Sequence, residues 1–214
     1  MLTMKKMVYL LILLLTSCMI TSCIYENKDE TDIQETYVHS KKNNESSIEN
    51  IEEMSNSIEE ENGTKNVVEK FLTLYQALDS SAGEYLADRP EGTEIQFNGI
   101  QALLAKRMTF SVENSKMEGN EYLVSTQIKT VDFKVAFETV TNVVNEDTSE
   151  DIILEKLYDI VNSESSQTRN FSVIIPVQKY GEEYKIKLTP ELSNALFGGY
   201  NEYLSEMIGG MFDE

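Results

Sequence analysis

Apolar residues recur near every 3.6 positions in several stretches of the chain, the spacing that places them on one face of a helix. The first stretch follows Thr64 or Asn66 as an N-cap and runs to Leu78. Helices are predicted over residues 64–78, 81–86, 98–107, 132–144, 150–162 and 190–207.

Local end signals support several of these helices. Ser81 and Glu84 have the spacing of a capping box and precede the short second helix. Thr189-Pro190 is an N-cap followed by proline at the first helical position, which begins the last helix. Gly198-Gly199 interrupts that helix, as a kink or as a site of close packing.

The spacing of apolar residues changes to two in two pairs of segments, which predicts β-hairpins. The turns are Glu118-Gly119-Asn120 and Tyr180-Gly181-Glu182-Glu183. Pro176 has no amide hydrogen, so its strand is predicted to lie at a sheet edge or to carry a bulge. The first hairpin pairs residues 109–114 with 122–128, and the second pairs 171–177 with 184–188.

The segment 131–137 fits two patterns, since its apolar residues alternate as in a strand and also begin a helical spacing. The alternation breaks at Glu138, whereas the helical spacing persists to Val144. We therefore predict a helix that starts at Thr130 or Asp132.

The order of these elements predicts the fold class. Helices, a hairpin, more helices, a second hairpin and a closing helix indicate an α+β domain, in which an antiparallel sheet from two β-hairpins packs against helices. About 150 residues bury enough surface for one stable core. One globular domain is therefore predicted over residues 64–214.

Three segments of this domain carry a resemblance to a known family. They are the helices 67–78 and 82–86, the segment 130–137 after a strand, and the run Asn194-Ala195-Leu196-Phe197-Gly198-Gly199. They resemble the nuclear transport factor 2-like family, in particular its small lipid-anchored members on Gram-positive surfaces, whose activity is mostly unassigned. The resemblance implies a cone-like fold whose concave sheet can hold a ligand. The chain departs from the enzyme branches, which place histidine and aspartate in the cone, so no catalytic residue carries over.

Aromatic residues on the predicted strands are the candidates for lining such a pocket. They recur at period two on a sheet that has one buried face, a position in which aromatics also serve as core. The four residues are Phe110, Tyr122, Phe171 and Tyr184.

The first two dozen residues resemble a bacterial lipoprotein signal. Lys5-Lys6 precede the apolar run 7–15, which is shorter than the ~20 residues that span a bilayer. Small residues precede both Cys18 and Cys23, as in a lipobox. The resemblance implies a signal peptide over 1–22, fatty acyl chains such as palmitate on Cys23, and anchoring to the outer face of the bacterial membrane. Cys18 is the alternative, but Cys23 gives an ordinary signal length and a mature chain with no other thiol.

Residues 23–63 have few apolar side chains among Asn, Ser, Glu and Lys. Such a composition cannot bury enough apolar area to offset chain entropy, so a disordered acidic tether is predicted. A transient helix in this linker is the local alternative. It is suggested by the spacing of Ile48, Ile51, Met54 and Ile58.

Charge and composition limit the partners. The chain has 37 acidic and 18 basic residues and a formal charge of −19. This charge argues against nucleic acid and against anionic headgroups, so the predicted membrane contact is the covalent lipid. His39 is the one histidine and no cysteine follows Cys23, which excludes zinc sites of the Cys/His kind and catalytic triads that use histidine. No metal and no cofactor are predicted.

These observations favour a binding or accessory domain for a small molecule, a peptide or another envelope protein. The alternative is an acidic surface protein of the immunity type, or one that collects Ca²⁺. A hydrolase built on paired carboxylates is a third hypothesis, with Asp132, Asp151 and Glu84 as candidates. Each adjoins a predicted helix start, where capping already explains an acidic residue. We therefore predict a protein that is not an enzyme.

Overall fold

A computed structural model describes most of the predicted domain. The predicted signal peptide, both candidate lipidated residues Cys18 and Cys23, and tether residues 23–48 lie outside the described residues. The described residues are 49–87, 89, 94–97, 99–145 and 147–209.

Within this part the chain is an α+β domain with a four-stranded antiparallel sheet, as predicted. Its helices are α1 (Glu49–Gln76), a 3-10 helix (Ser80–Tyr85), α2 (Gly99–Arg107), α3 (Phe133–Val143), α4 (Glu150–Asn162), α5 (Pro190–Leu196) and α6 (Tyr200–Gly209). Its strands are β1 (Thr109–Glu118), β2 (Glu121–Val131), β3 (Thr168–Tyr180) and β4 (Glu183–Ile186).

α1 begins inside the segment predicted to be a disordered tether, at Glu49. The first helix therefore begins 15 residues before the start predicted for the domain, and the division at residues 63 and 64 stays a prediction. Thr64 lies in the helix interior rather than at an N-cap, and its buried hydroxyl donates to the carbonyl oxygens of Glu60 and Glu61 at 3.0 and 2.9 Å. A prediction from composition considers only the apolar area that a segment can bury by itself. In the structure, the C-terminal half of α1 packs against the sheet, and this packed half nucleates the helix and lets it extend toward the N-terminus.

The strands follow one another across the sheet in the order β1-β2-β3-β4, and both predicted hairpins are confirmed. Pairing of β2 with β3 joins the hairpins, with Tyr122 opposite Val177. The edge or bulge predicted at Pro176 is wrong, since β3 is paired on both sides and keeps its register with β2. Pro176 is tolerated because it lies just beyond the residues paired with β4, where its carbonyl accepts from the Lys187 amide at 2.9 Å.

Each outer edge of the sheet is irregular. β1 forms one edge, and a bulge shifts its register with β2 between Val112 and Ser115. At the other edge, Leu86 forms a parallel bridge with Ile186 of β4, and the Ala87 amide donates to Ile186 O at 2.8 Å.

The 3-10 helix that leads to this bridge is capped one position before its start. Asp79 is the N-cap, and its carboxylate accepts from the Ser81 amide at 2.9 Å. The capping box predicted from Ser81 and Glu84 is therefore wrong, because both residues already lie within the 3-10 helix.

Helices cover one face of the sheet and form two hydrophobic clusters. The sheet cluster lies between the strands and α1 and α5, and the helix cluster joins α2, α3, α4 and α6. Phe197 packs against both clusters. Fully buried members of the sheet cluster include Phe71, Leu72, Tyr75, Val124, Ile128 and Ile175, and those of the helix cluster include Leu104, Phe133, Phe137, Leu157 and Val161.

The helix predicted after β2 is confirmed, and the strand alternative for its first residues is wrong. Asp132 is the N-cap of α3, where its carboxylate accepts from the Val135 amide at 3.2 Å. The bounds predicted for α4, 150–162, are also those of the structure.

The interruption predicted at Gly198-Gly199 is confirmed as a break between α5 and α6. Both glycines have positive φ, 65° and 85°. A Cβ added to Gly198 would lie 2.3 Å from the carbonyl oxygen of Val131, and Gly198 O accepts from the Phe133 amide at 3.0 Å. This turn holds the chain against the junction of β2 and α3.

Candidate functional site

The four aromatic residues predicted to line a concave pocket lie in two separate pairs. Phe110 and Phe171 are the cross-strand neighbours of Ile128 in one row of the sheet. Tyr122 and Tyr184 contact each other edge to face, with ring centroids 5.9 Å apart. Six positions of β2 separate the two rows, about 20 Å at ~3.3 Å per residue. All four pack in or against the sheet cluster, where Tyr122 is buried and the other three are half-buried.

The covered face of the sheet is filled by the protein's own side chains. A ligand bound there would have to displace this core. The strand residues beneath α1 and α5 are fully buried, among them Val124, Ile128, Ile175, Val177 and Ile186.

A polar cluster ties α1 to the end of the sheet at which both hairpins turn. Glu60 accepts from the Tyr122 hydroxyl at 2.6 Å and from the Lys179 ammonium at 3.1 Å. Gly63 allows the Tyr184 ring to approach α1, since a Cβ there would lie 2.9 Å from Cε2 of that ring. We call Glu60, Tyr122, Lys179 and Tyr184 the α1 latch.

The groups of the α1 latch shift one another's protonation. Hydrogen bonds from Tyr122 and then Lys179 lower the pKa of Glu60 below its ordinary value of 4.5. Burial, together with the hydrogen bond to Glu60, raises the pKa of Tyr122 to about 12. The carboxylate, the neutral phenol and the ammonium that the latch requires are therefore the forms present at neutral pH.

We expect Glu60→Gln to lower the free energy of unfolding by at most about 1 kcal/mol near pH 7, the upper range for exposed ion pairs. The figure is small because the Glu60 side chain is 36% exposed. Since folding lowers the pKa of Glu60, its contribution is present above pH 4.5 and disappears as the pH falls through the lower folded-state pKa.

Urea denaturation at neutral pH and at about pH 3 measures this effect. Glu59→Gln is the matched control, because it removes the same charge from the exposed neighbouring residue. A difference between the two variants that stays constant across this pH range would contradict the role given to Glu60.

A cleft of about 320 Å³ lies between α3 and the segment 163–167 that joins α4 to β3. Its floor is apolar and consists of Val135, Ala136 and Ile160. We call it the hydroxyl cleft, after its polar lining. That lining consists of Asp132, Thr139, Ser163, Ser165, Ser166 and Gln167.

The segment 163–167 is fixed from two sides. The Arg107 guanidinium of α2 donates to the carbonyl oxygens of Val161, at 3.1 Å, and Ser163, so it caps the end of α4. The Asp132 amide donates to Gln167 O at 2.9 Å, which joins the segment to the start of α3. The rim of the cleft is therefore held through its backbone, and the side chains of Ser165 and Gln167 are exposed.

A second, more open cleft of about 320 Å³ lies between the start of α2 and α4. It has fewer polar groups than the hydroxyl cleft. Its lining consists of Gly99, Leu103, Tyr158, Asp159 and Asn162.

The three carboxylates considered for acid–base chemistry lie on different elements. Asp132 caps α3, Asp151 lies in the first turn of α4, and Glu84 is exposed on the 3-10 helix. Asp132 lines the hydroxyl cleft without either of the other two.

In the residues that the structure describes, no group of three or more His, Cys, Asp or Glu side chains is arranged to hold a metal ion. None of the described helices is both long and apolar enough to cross a membrane. No protein-family model, curated protein or solved structure matches the chain. The geometry of the hydroxyl cleft is therefore the basis for assigning a function.

Proposed function

We propose that this protein is a lipid-anchored extracytoplasmic binding domain that takes a small ligand in the hydroxyl cleft. The observation that carries the proposal is the convergence of polar side chains over an apolar floor, the arrangement typical of small-molecule sites. Thr139 and Ser165 are exposed, so folding alone does not require a hydroxyl at either position.

The hydroxyl cleft binds its ligand without catalysing a reaction. A hydrolase built on paired carboxylates, the enzyme hypothesis considered for this chain, needs one on either side of the reacting bond. Of the residues described as lining the cleft, Asp132 is the one carboxylate. Binding requires only the contacts that the cleft offers.

The anchor in this proposal is a diacylglyceryl group on Cys23, with Cys18 as the alternative. Each buried methylene contributes about 0.8 kcal/mol, so two acyl chains hold a protein stably where one holds it only marginally. The chain would then remain at the outer face of the membrane despite its charge of −19.

The cone-like, nuclear transport factor 2-like assignment of the domain is also a proposal. It is supported by the order of elements, with long α1 lying across a sheet made from two hairpins and helices inserted between them. Superposition of an experimental structure on members of that family tests it. A different strand order in those members would contradict it.

Labelling with a tagged palmitate tests the anchor. We expect the full chain, expressed in a Gram-positive host, to incorporate the label and to sediment with membranes. Cys23→Ser abolishes both results, whereas Cys18→Ser, the matched control, preserves them. The reverse pattern would assign the lipid to Cys18, and an unlabelled wild-type chain would contradict the anchor altogether.

A further inference from the structure

We propose that the hydroxyl cleft binds a small hydroxylated amine, that is, a molecule with several hydroxyl groups and one protonated amino group, such as an amino sugar. This inference rests on the function proposed for the cleft and adds the chemical class of its ligand. Three properties of the lining support it: the hydrogen bonds that it still offers, its charge and its size.

Most hydroxyl protons of the lining are already used within the protein. Thr139 Oγ1 donates to the carbonyl oxygen one turn earlier at 2.7 Å, and Ser166 Oγ donates to Ile160 O. Ser163 Oγ and Ser165 Oγ share one hydrogen bond of 2.8 Å. Three of the four hydroxyl protons are thus committed, so the remaining side-chain donors are one hydroxyl and the amide of Gln167, while most of the oxygen lone pairs remain. The lining accepts more hydrogen bonds than it can donate, which favours a ligand rich in donors.

The charge of the lining selects among donor-rich ligands. Asp132 is its one charged side chain among the described residues. One carboxylate oxygen accepts from the Val135 amide at 3.2 Å, and the other is left for a ligand. The start of α3 offsets part of this charge by about half an elementary charge, but the charge of −19 on the whole chain still attracts cations. A protonated amine is therefore favoured over a neutral polyol, and an anion is disfavoured.

The size of the cleft limits the ligand to about one ring. Its volume of about 320 Å³ is at the lower end of the range of small-molecule sites, ~300–1,000 Å³. An open site with few buried contacts binds weakly, so we expect a dissociation constant on the order of 1 mM.

Titration of the full chain in detergent micelles, followed by amide resonances, tests the ligand class. The probes are glucosamine, glucose and glucuronate, which share a hydroxylated ring and differ in charge. At about pH 6.5, below the pKa of ~7.7 that is ordinary for an α-amino group, we expect glucosamine to shift the amides of residues 132–139 and 163–167. Glucose binds about threefold more weakly, and glucuronate produces no shift.

Two variants locate the source of this selectivity. Asp132→Asn keeps an N-cap but removes the charge, so glucosamine should bind it only as well as glucose does. Thr139→Val weakens both sugars about threefold through the loss of one acceptor. Ser205→Ala is the matched control, because its hydroxyl also donates to its own helix, at Asn201 O, and it lies on α6.

Equal binding of glucose and glucosamine, or binding of glucuronate, would overturn the amine class and leave the cleft as a binding site. An absence of shifts with all three probes would overturn the cleft as the site as well as the ligand class. Neither result bears on palmitate labelling, so failure of the anchor and failure of the ligand class are distinguishable.

Discussion

Gly198→Ala is expected to lower the free energy of unfolding by about 3 kcal/mol, the sum of two effects. The first is conformational, because φ at this residue is 65° and a left-handed residue with a Cβ costs roughly 1–2 kcal/mol. The second is steric, because the new Cβ would lie 2.3 Å from the carbonyl oxygen of Val131. Either the turn or the end of β2 must move, which disturbs the contact between the sheet cluster and the helix cluster. Urea denaturation measures the loss.

Gly181→Ala is the matched control for this prediction. Its φ is 62°, close to that of Gly198, and apart from its chain neighbours no atom of the described residues lies within 4 Å of the added Cβ. The conformational effect is therefore present without the steric one, and we expect a loss of about 1 kcal/mol. Equal losses of unfolding free energy in the two variants would show that the close approach of residue 198 to Val131 does not affect stability.

Phe137→Ala is expected to lower the free energy of unfolding by about 3–5 kcal/mol, the usual range for a large aromatic in a core. Phe137 is fully buried in the helix cluster, with ring centroids 6.0 Å from Phe133 and 5.9 Å from Tyr203. Because Phe197 packs against both clusters, we expect the variant to unfold in one transition at lower urea. Far-ultraviolet circular dichroism and tyrosine fluorescence should report the same midpoint.

Val143→Ala is the control on the same helix, since Val143 is 67% exposed. Its expected effect is within about 0.5 kcal/mol. A similar small loss for Phe137→Ala would mean that the helix cluster is poorly packed. Two separate midpoints would mean that the clusters unfold independently.

Elements with strong local signals could be predicted from the sequence. Asp132 before α3 and Thr189 before α5 act as the N-caps that their residue types suggest, with bonds to the Val135 and Leu192 amides. The break at Gly198-Gly199 follows from the missing side chains. Each of these signals acts within one helical turn, so it does not depend on the rest of the fold.

Features that depend on distant contacts could not be predicted. α1 extends to Glu49 because Glu60 and Thr64 bond residues of the sheet, namely Tyr122 and Ser115, that lie about fifty or more positions later. Pro176 is tolerated in a central strand because the partner strand β4 is short and ends before it. The residues around Pro176 do not reveal the length of β4.

The hydroxyl cleft also depends on distant contacts. Residues 163–167 lie between a predicted helix and a predicted strand, and the one local signal there is that three of the five residues are serines. The partner hydroxyl, Thr139, lies on α3, and no local pattern relates a helix surface to a later loop. The aromatic residues of the strands have a strong periodicity by contrast, and all four pack in or against the sheet cluster.

If copies are held together on a membrane, as proposed above, the irregular edges of the sheet affect how they associate. Molecules confined to two dimensions meet far more often than in solution, and bare strand edges would then join into extended polymers. At the β1 edge, the bulge between Val112 and Ser115 interrupts the regular strand. At the β4 edge, the bridge from Leu86 to Ile186 occupies part of the hydrogen-bonding positions. Neither edge of the described sheet offers an uninterrupted ladder, so a dense layer of this protein can remain a population of separate molecules.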